Sequence, residues 1–316
     1  MSCLDIAGLR VCFATPEGLV RAVDAVDLTV KDNEILGLVG ETGCGKTVLG
    51  LSIMGLLPRN AAMEGEIHYN GLNLLALDED AMRKIRGREI AMMLQNPATS
   101  LNPVMRIQDQ VAESISAHNR VGKREAKARS LEFLEFVGIP ADRVRDYPHE
   151  FSGGMRQRAV LAMAMASGPS VLIADEPTKM LDGARKVQIL ALIQRMQQES
   201  EASLLFITHD LLSAFTVCRR IAVMYAGEIV ELATAGELSQ RPLHPYAQGL
   251  LESVPRRGLK PIGGASPSLV DLPSGCRFHP RCPVALPACH TSHPVMCEAV
   301  AGHFVRCLRH GSRGSS

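Results

Sequence analysis

A glycine-rich loop set between an apolar strand and a helix constrains this 316-residue chain more than any other feature. Residues 34–39 read as a buried strand. Gly40-Glu41-Thr42-Gly43-Cys44-Gly45-Lys46-Thr47 follows, opening a helix over residues 46–57 that Pro58 stops. This fits G-x-x-x-x-G-K-[ST] in the strand–loop–helix setting the motif requires. The glycines let successive backbone N–H groups converge on phosphate oxygens, and the helix N-terminus adds its partial positive charge. Lys46 is placed to reach the β- and γ-phosphates of a nucleotide, and the Thr47 hydroxyl to hold Mg²⁺. The plain alternative is a chance glycine turn before a helix. Cys44 occupies a free position of the motif, where a thiol is either packing or redox-active.

Composition narrows the class. Apolar residues make up 46% of the chain, enough for a sizeable core, but aromatics are only 4% and Trp is absent, so aliphatic side chains and Met must fill it. A net charge of +1 argues against a nucleic-acid-coating protein. The opening residues Met-Ser-Cys-Leu-Asp-Ile lack the basic and apolar regions of a signal peptide. The longest apolar stretch, residues 159–174, is broken by Ser167, Gly168, Pro169 and Ser170, short of the roughly 20 apolar residues a membrane span needs. The expectation is a soluble, cytoplasmic chain.

Along the sequence, residues 1–33 predict short strands around a turn at 15–18, and residues 66–69 a strand ending in the turn Asn70-Gly71. Residues from about 98 to 150 change character and become helical with charged faces, as in 123–137. Strand logic then resumes at 171–174 and 204–208, with a hairpin at 221–225 and 228–232 around Ala226-Gly227. Strands alternating with helices, with polar residues at strand C-terminal ends, indicate an α/β core whose ligand lies along that edge. From about Arg241 the chain turns rich in Pro, Gly, Ser and Cys, so a boundary falls near 235–260.

The strand at 171–174 delivers two carboxylates, Asp175 and Glu176. Asp175 would hold Mg²⁺ and Glu176 would orient and polarise an attacking water, since phosphoryl transfer needs positioning and charge stabilisation. The bland reading is that the pair caps the next helix. Gln95, after the apolar run 90–94, suits sensing Mg²⁺ or the lytic water, and His209, ending its own strand in Thr-His-Asp, could contact a γ-phosphate. Asp182 follows Glu176 closely, and Phe13 could stack on adenine or simply fill the core. Between the loop and the acidic strand lies Phe151-Ser152-Gly153-Gly154-Met155-Arg156-Gln157-Arg158.

In this order these elements resemble an ATP-binding cassette (ABC) ATPase over about residues 4–235. Gly40–Thr47 matches the Walker A motif, Gln95 the Q-loop, and Ser152, Gly153, Gly154 and Met155 the signature. Asp175 and Glu176 match Walker B with its catalytic glutamate, Asp182 the D-loop and His209 the switch histidine. A narrower resemblance is to the oligopeptide/dipeptide/nickel permease branch. It rests on Gln95-Asn96-Pro97, Ser100-Leu101-Asn102-Pro103, Tyr147-Pro148-His149-Glu150, Met155-Arg156-Gln157-Arg158, His244-Pro245-Tyr246 with Leu250-Leu251 and Val254-Pro255, and the tail Gly275-Cys276-Arg277-Phe278-His279-Pro280-Arg281-Cys282-Pro283. Met155 stands where most cassettes have Gln, and residues 178–182 are bulkier before Leu-Asp than is usual.

The resemblance implies an α/β fold: an ABC-type P-loop NTPase core with an antiparallel β subdomain and a helical subdomain, plus a small cysteine-rich C-terminal extension. The domains would be residues 1–240, with the helical subdomain at about 98–165, and 241–316. It implies an ATPase converting ATP and water to ADP and phosphate, with Lys46, Gln95, Glu176 and His209 catalytic. Phe13 and residues 40–47 would bind ATP, and Thr47, Gln95 and Asp175 would bind Mg²⁺. Ser152, Gly153, Gly154, Met155 and Asp182 would serve ATP held by a second, homologous ATPase subunit. Two transmembrane permease subunits and an extracytoplasmic substrate-binding protein would complete an importer of di- and oligopeptides, with this chain peripheral on the cytoplasmic face of the inner membrane and no nucleic acid bound. Nickel or metal chelates and other small solutes remain alternative cargoes. A soluble cassette ATPase of DNA, ribosome or iron–sulfur processes is the other class, but the interval from Lys46 to Ser152 leaves no room for a long coiled coil.

Nine cysteines are unevenly spread, and Cys276, Cys282, Cys289, Cys297 and Cys307 crowd the tail with His279, His290, His293, His303 and His310. Cys276, Cys282, Cys289 and Cys307 are spaced C-x5-C-x6-C-x17-C, four thiolates for a [4Fe–4S] cluster or zinc. Composition leaves the two level, with a metal-free thiol-rich tail as the third reading. The resembled branch, some of whose members carry a [4Fe–4S] cluster on these cysteines, favours the cluster and leaves Cys297 outside it. The tail's Arg and Lys residues (256, 257, 260, 277, 281, 306, 309, 313) could face anionic lipid or a partner, but read best as a solvated surface.

Overall fold

The computed structural model describes residues 2–254 and 258–310. Pro255, Arg256, Arg257 and Arg313, singled out above, lie outside the described residues. The chain divides into two compact units, one holding Lys31–Glu34 and Ala76–Phe206, the other Ser2–Val30, Ile35–Leu75 and the chain from Ile207 onward.

In the first unit the strands Ile90–Met93 and Val171–Asp175 pair in parallel, Ile90 opposite Val171 and Met93 opposite Ala174. All five residues of Val171–Asp175 are buried, as an apolar strand enclosed on both faces should be. Between these strands the chain is helical. Ile107–His118, Lys123–Phe136 and Gly153–Met165 pack on one another. Their buried residues recur at three- and four-residue intervals, Ile107, Val111 and Ile115 on the first and Ala126, Ser130 and Leu134 on the second. The Ser114 hydroxyl donates to the Met163 carbonyl at 3.0 Å, tying the first of these helices to the third. The unit's longest helix, Gly183–Ser200, starts at Asp182, whose carboxylate accepts the Arg185 N–H at 2.9 Å.

The second unit contains a four-stranded sheet in the order Gly18–Lys31, Ser2–Thr15, Ala61–Tyr69, Leu72–Asn73. Where the sequence predicts short strands, two 14-residue strands form. A bulge between Ala7 and Arg10, with Gly8 at φ 57°, adds a residue to the first strand without ending it. Asn70 and Gly71 make the expected two-residue hairpin with φ of 47° and 81°. The helix after the glycine loop runs Lys46–Ile53 and stops before Pro58. Gly55, at φ 59°, ends it, with Gly55 N–H on the Ser52 carbonyl and Leu56 N–H on the Leu51 carbonyl.

The same unit holds Ile35–Val39 in parallel register with Arg220–Tyr225, which turns at Ala226-Gly227 into the antiparallel strand Glu228–Thr234. The C-terminal segment continues this sheet: His303–Val305 pairs with Glu228–Thr234, and Cys297–Val300 pairs with His303–Val305. Contacts therefore place the tail in the unit of the phosphate-loop strand. Among the described residues, no helix is long and apolar enough to cross a membrane.

One buried group anchors the added strands. Glu231, fully buried, accepts N–H bonds from Leu243 at 2.8 Å and His244 at 2.7 Å, and contacts His303 Nε2 at 2.7 Å. Replacing His303 with Ala leaves Glu231 Oε1 with the Leu243 N–H alone in the interior and should lower unfolding free energy by about 1–3 kcal/mol, measured by denaturant melts. His303→Ala with wild-type stability would show that this contact does not hold the strands.

Candidate functional site

The phosphate loop is enclosed by backbone. A Cβ at Gly40 would lie 2.2 Å from the Met224 carbonyl oxygen, and one at Gly45, which sits at φ 110°, would lie 2.1 Å from that of Ala22. Neither position admits another residue without moving main chain. Lys46 is buried, and its Nζ donates to the carbonyls of Gly40 at 2.8 Å and Glu41 at 2.9 Å, with Cys44 Sγ at 3.7 Å. Cys44 is buried, and burial pushes its thiol pKa up despite the Lys46 ammonium pulling the other way, which disfavours a thiolate there. Thr47 follows on the same helix.

Glu41, at another free position, is held from the tail. Its carboxylate accepts both Arg281 Nη1 at 2.8 Å and Nη2 at 2.9 Å, and also the Ser266 hydroxyl. The Arg281 bonds keep its pKa below the usual carboxylate range against the upward pull of burial. Glu41 N–H donates to the Tyr246 hydroxyl at 2.8 Å. Phe13 lies half-buried on Ser2–Thr15 opposite Ala61, so its ring is not consumed by the core. His209 is exposed at the end of Ser203–Thr208, beside Asp210, which caps the next helix through Leu212 N–H at 3.1 Å.

In the first unit, Asp175 and Glu176 are buried at the end of their strand, and Glu176 adopts φ 51°, an uncommon conformation for a non-glycine residue. The helix that follows is capped by Asp182, which removes the reading that the acidic pair serves as its cap. Asp182 is exposed, as are Ser152 and Gly153. Ser152 caps Gly153–Met165 by accepting the Met155 N–H at 3.4 Å, and Gly154 is buried beneath it.

A cavity of about 290 Å³ brings several of these residues together. Gln95 and Asn96 face Gly153, Arg156 and Gln157 of the helix, and Lys179 and Met180 of the segment after Glu176. Sequence reasoning missed Gln157 as an individual residue. It is buried, and its Nε2 donates to the Pro177 carbonyl at 2.6 Å, linking the helix begun at Ser152 to the loop that carries Glu176. Arg156 Nε donates to the Pro148 carbonyl at 2.7 Å, which ties Tyr147-Pro148-His149-Glu150 to the same helix.

Lys260 and Arg309 are exposed, as a solvated surface requires, but Arg277, Arg281 and Arg306 depart from that expectation. The Arg281 side chain is 5% exposed, and Arg277, 8% exposed, pairs with Asp24 and with Glu228 at 3.4 Å. Arg306 donates to the Ile229 carbonyl at 3.0 Å. The signal available in sequence was only that acids with no local partner lie in apolar strands. Cys276, Cys282, Cys289 and Cys307 are free thiols. Burial first, and then the other three thiols, push Cys276 up to about 11, so the four lie within electrostatic reach of one another. Yet among the described residues no three His, Cys, Asp or Glu side chains converge as a metal ion's ligands would. Cys297 donates to the Val305 carbonyl at 3.4 Å, within its own strand pair.

Residues 23–179 match the ABC transporter family, and residues 230–289 match the oligopeptide/dipeptide transporter C-terminal region. A probable peptide ABC transporter ATP-binding protein, y4tR of Sinorhizobium fredii, is 46% identical over 97% of this chain and 94% of its own length. The oligopeptide transport ATP-binding protein OppD of Escherichia coli is 41% identical over 97% and 93%, and the dipeptide transport ATP-binding protein DppD of Bacillus subtilis 42% over 96% and 93%. Among solved structures, the dimeric post-hydrolysis state of the ATP-binding cassette MJ0796 with ADP and Pi has a TM-score of 0.67 and 26% identity, covering 73% of this chain and 98% of that one. A glycine loop that only glycine can build, an acidic strand end and relatives that match nearly end to end make one conclusion: this chain belongs to the ABC transporter family, as an ATPase carrying the family's ATP-binding cassette.

Proposed function

We propose that the chain powers the uptake of di- and oligopeptides, as a peripheral ATPase subunit on the cytoplasmic face of the cell membrane. The observation that carries this reading is the C-terminal region. It matches that of oligopeptide/dipeptide transporters, and relatives named for peptide transport align with the chain over nearly its full length. We read residues 1–240 as the nucleotide-binding domain, with a helical subdomain at about 98–165, and 241–316 as its extension.

In this reading ATP lies on residues 40–47 with adenine against Phe13. Thr47, Gln95 and Asp175 would hold Mg²⁺, which when bound would supply positive charge against the phosphates. Lys46 balances the transferred γ-phosphate, Glu176 orients and polarises the attacking water, and His209 contacts the γ-phosphate. The exposure of Ser152, Gly153 and Asp182 supports a role beyond this chain, as contacts with Gly154 and Met155 to the ATP of a homologous partner ATPase. Two permease subunits and an extracytoplasmic binding protein complete the importer.

Glu176→Gln should lower ATP turnover of the assembled complex by at least about 100-fold while preserving ATP binding, and should trap the closed ATPase dimer. Phosphate release and light scattering would measure both. Turnover unchanged from wild type would overturn the assignment of Glu176.

We also propose that Cys276, Cys282, Cys289 and Cys307 bind a [4Fe–4S] cluster, with zinc as the alternative metal. The proposal rests on the donor set, four free thiols in mutual reach, since the described side chains do not converge as ligands. Anaerobically purified protein should show visible iron–sulfur absorption that Cys276→Ser removes and Cys297→Ser retains. Colourless protein containing zinc would favour the alternative metal, and protein with neither would refute the site.

A further inference from the structure

Arg281 sits beside Cys282 in the tail, yet its side chain is committed to the phosphate loop. Besides its two bonds to the Glu41 carboxylate, its Nε donates to the Gly263 carbonyl at 2.9 Å and its Nη1 reaches the Ser266 hydroxyl at 3.3 Å. The guanidinium lies over the rings of Tyr225 at 5.7 Å and Phe278 at 5.9 Å, in a cluster that includes Tyr246. Tyr246 is fully buried and holds the Glu41 N–H. One residue of the loop is therefore fixed at both its peptide and its carboxylate by side chains that come from beyond residue 225.

Two physical problems of the loop meet at Glu41. Its glycines leave the backbone free to wander, which opposes binding of a ligand that needs several N–H groups aimed at once. Glu41 also brings a negative charge into a loop that must hold a polyanion. A bidentate guanidinium counters that charge and imposes a direction on it, which a point charge such as Lys does less well. Residues Ser266, Pro267 and Leu269 complete the wall, enclosing about 150 Å³ against Glu41, Thr42 and Gly43.

We propose that the C-terminal segment braces the phosphate loop: Arg281, with Ser266 and Tyr246, neutralises Glu41 and holds its peptide, so that ATP affinity is set from the tail. Arg281 is a positioning residue that acts through Glu41. The proposal rests on the assignment of residues 40–47 as the ATP loop, and Lys46→Ala tests that assignment separately by its loss of ATP binding.

The test is equilibrium binding of Mg-ATP and steady-state turnover on the assembled complex. Arg281→Met, which keeps the stem over the rings, should weaken ATP binding and raise KM about 10-fold with kcat within about two-fold. Arg281→Lys should fall between wild type and Arg281→Met. In a Glu41→Gln background, where there is no charge to counter, Arg281→Met should add less than about two-fold. Arg306→Ala, which loosens the tail at Ile229 and Pro294 instead, should lower the melting temperature and leave ATP affinity unchanged. If Arg281→Met and Arg281→Lys lower only the melting temperature, or if the losses from Arg281→Met and Glu41→Gln simply add, Arg281 is a structural pin and the proposal falls. Should Arg281→Met fail to accumulate, Arg281→Lys in the two backgrounds decides between the same outcomes.

Discussion

Four carboxylates in the unit that carries the phosphate loop are satisfied by residues from the far end of the chain. Glu228 and Glu231 are buried on one strand, Asp24 lies on another, and Glu41 is in the loop itself. Taking a carboxylate out of water costs several kcal/mol unless charge and hydrogen bonds replace the solvent. Here Arg277 serves Asp24 and Glu228, His293 serves Glu228 at 2.8 Å, His303 serves Glu231, and Arg281 serves Glu41. Burial pulls Asp24 upward, but Arg277 and Arg10 together take it below the ordinary range, and the hydrogen bond to Glu228 raises His293. Removing the tail would strip Glu228, Glu231 and Glu41 of these partners and leave Asp24 with Arg10 alone, so the extension is part of how this unit folds.

That constraint also explains which parts of the protein were legible in its sequence. The glycine loop, the strand ending at Asp175 and the Asn70-Gly71 hairpin are local objects, written in consecutive residues and in hydrophobic period. Each forms where the sequence places it. Arg277 and Arg281 fail the same treatment because Asp24 and Glu41, the acids they pair with, are more than two hundred residues away. Composition counts an arginine as solvated until a partner is named. The Lys46 helix is a smaller case: Pro58 reads as the stop, but Gly55 reaches a left-handed conformation first and closes the last turn.

Burial sorts the proposed site residues into two groups. Lys46, Asp175, Glu176 and Gly154 are buried, and their positions are fixed by strand ends and helix starts. Gln95, Ser152, Gly153, Asp182 and His209 are exposed. Side chains of the second kind gain their surroundings from something that binds, whereas the first kind are set by folding. Gln157, buried like the first group, connects the two. Its bond to Pro177 makes the exposed start of one helix and the strained backbone at Glu176 parts of a single mechanical piece.

The hairpin at Ala226-Gly227 is where loop and tail meet. Gly227 N–H donates to the Cys44 carbonyl at 2.9 Å, and the Gly227 carbonyl accepts the Asp24 N–H at 2.9 Å. Arg277 Nη1 donates to the Ala226 carbonyl at 2.6 Å. Both turn residues have positive φ, 46° and 86°, which a two-residue turn between right-twisted strands demands. The turn's polar groups are thus divided among the phosphate loop, the strand carrying Asp24 and the tail. Lengthening the turn by one residue would move the Gly227 N–H away from Cys44 and the Ala226 carbonyl away from Arg277 together. Met224, two residues earlier, already stands against Gly40 with no space for a Cβ. A loop built to close on phosphate is therefore fixed from behind by a turn whose geometry the C-terminal segment also holds.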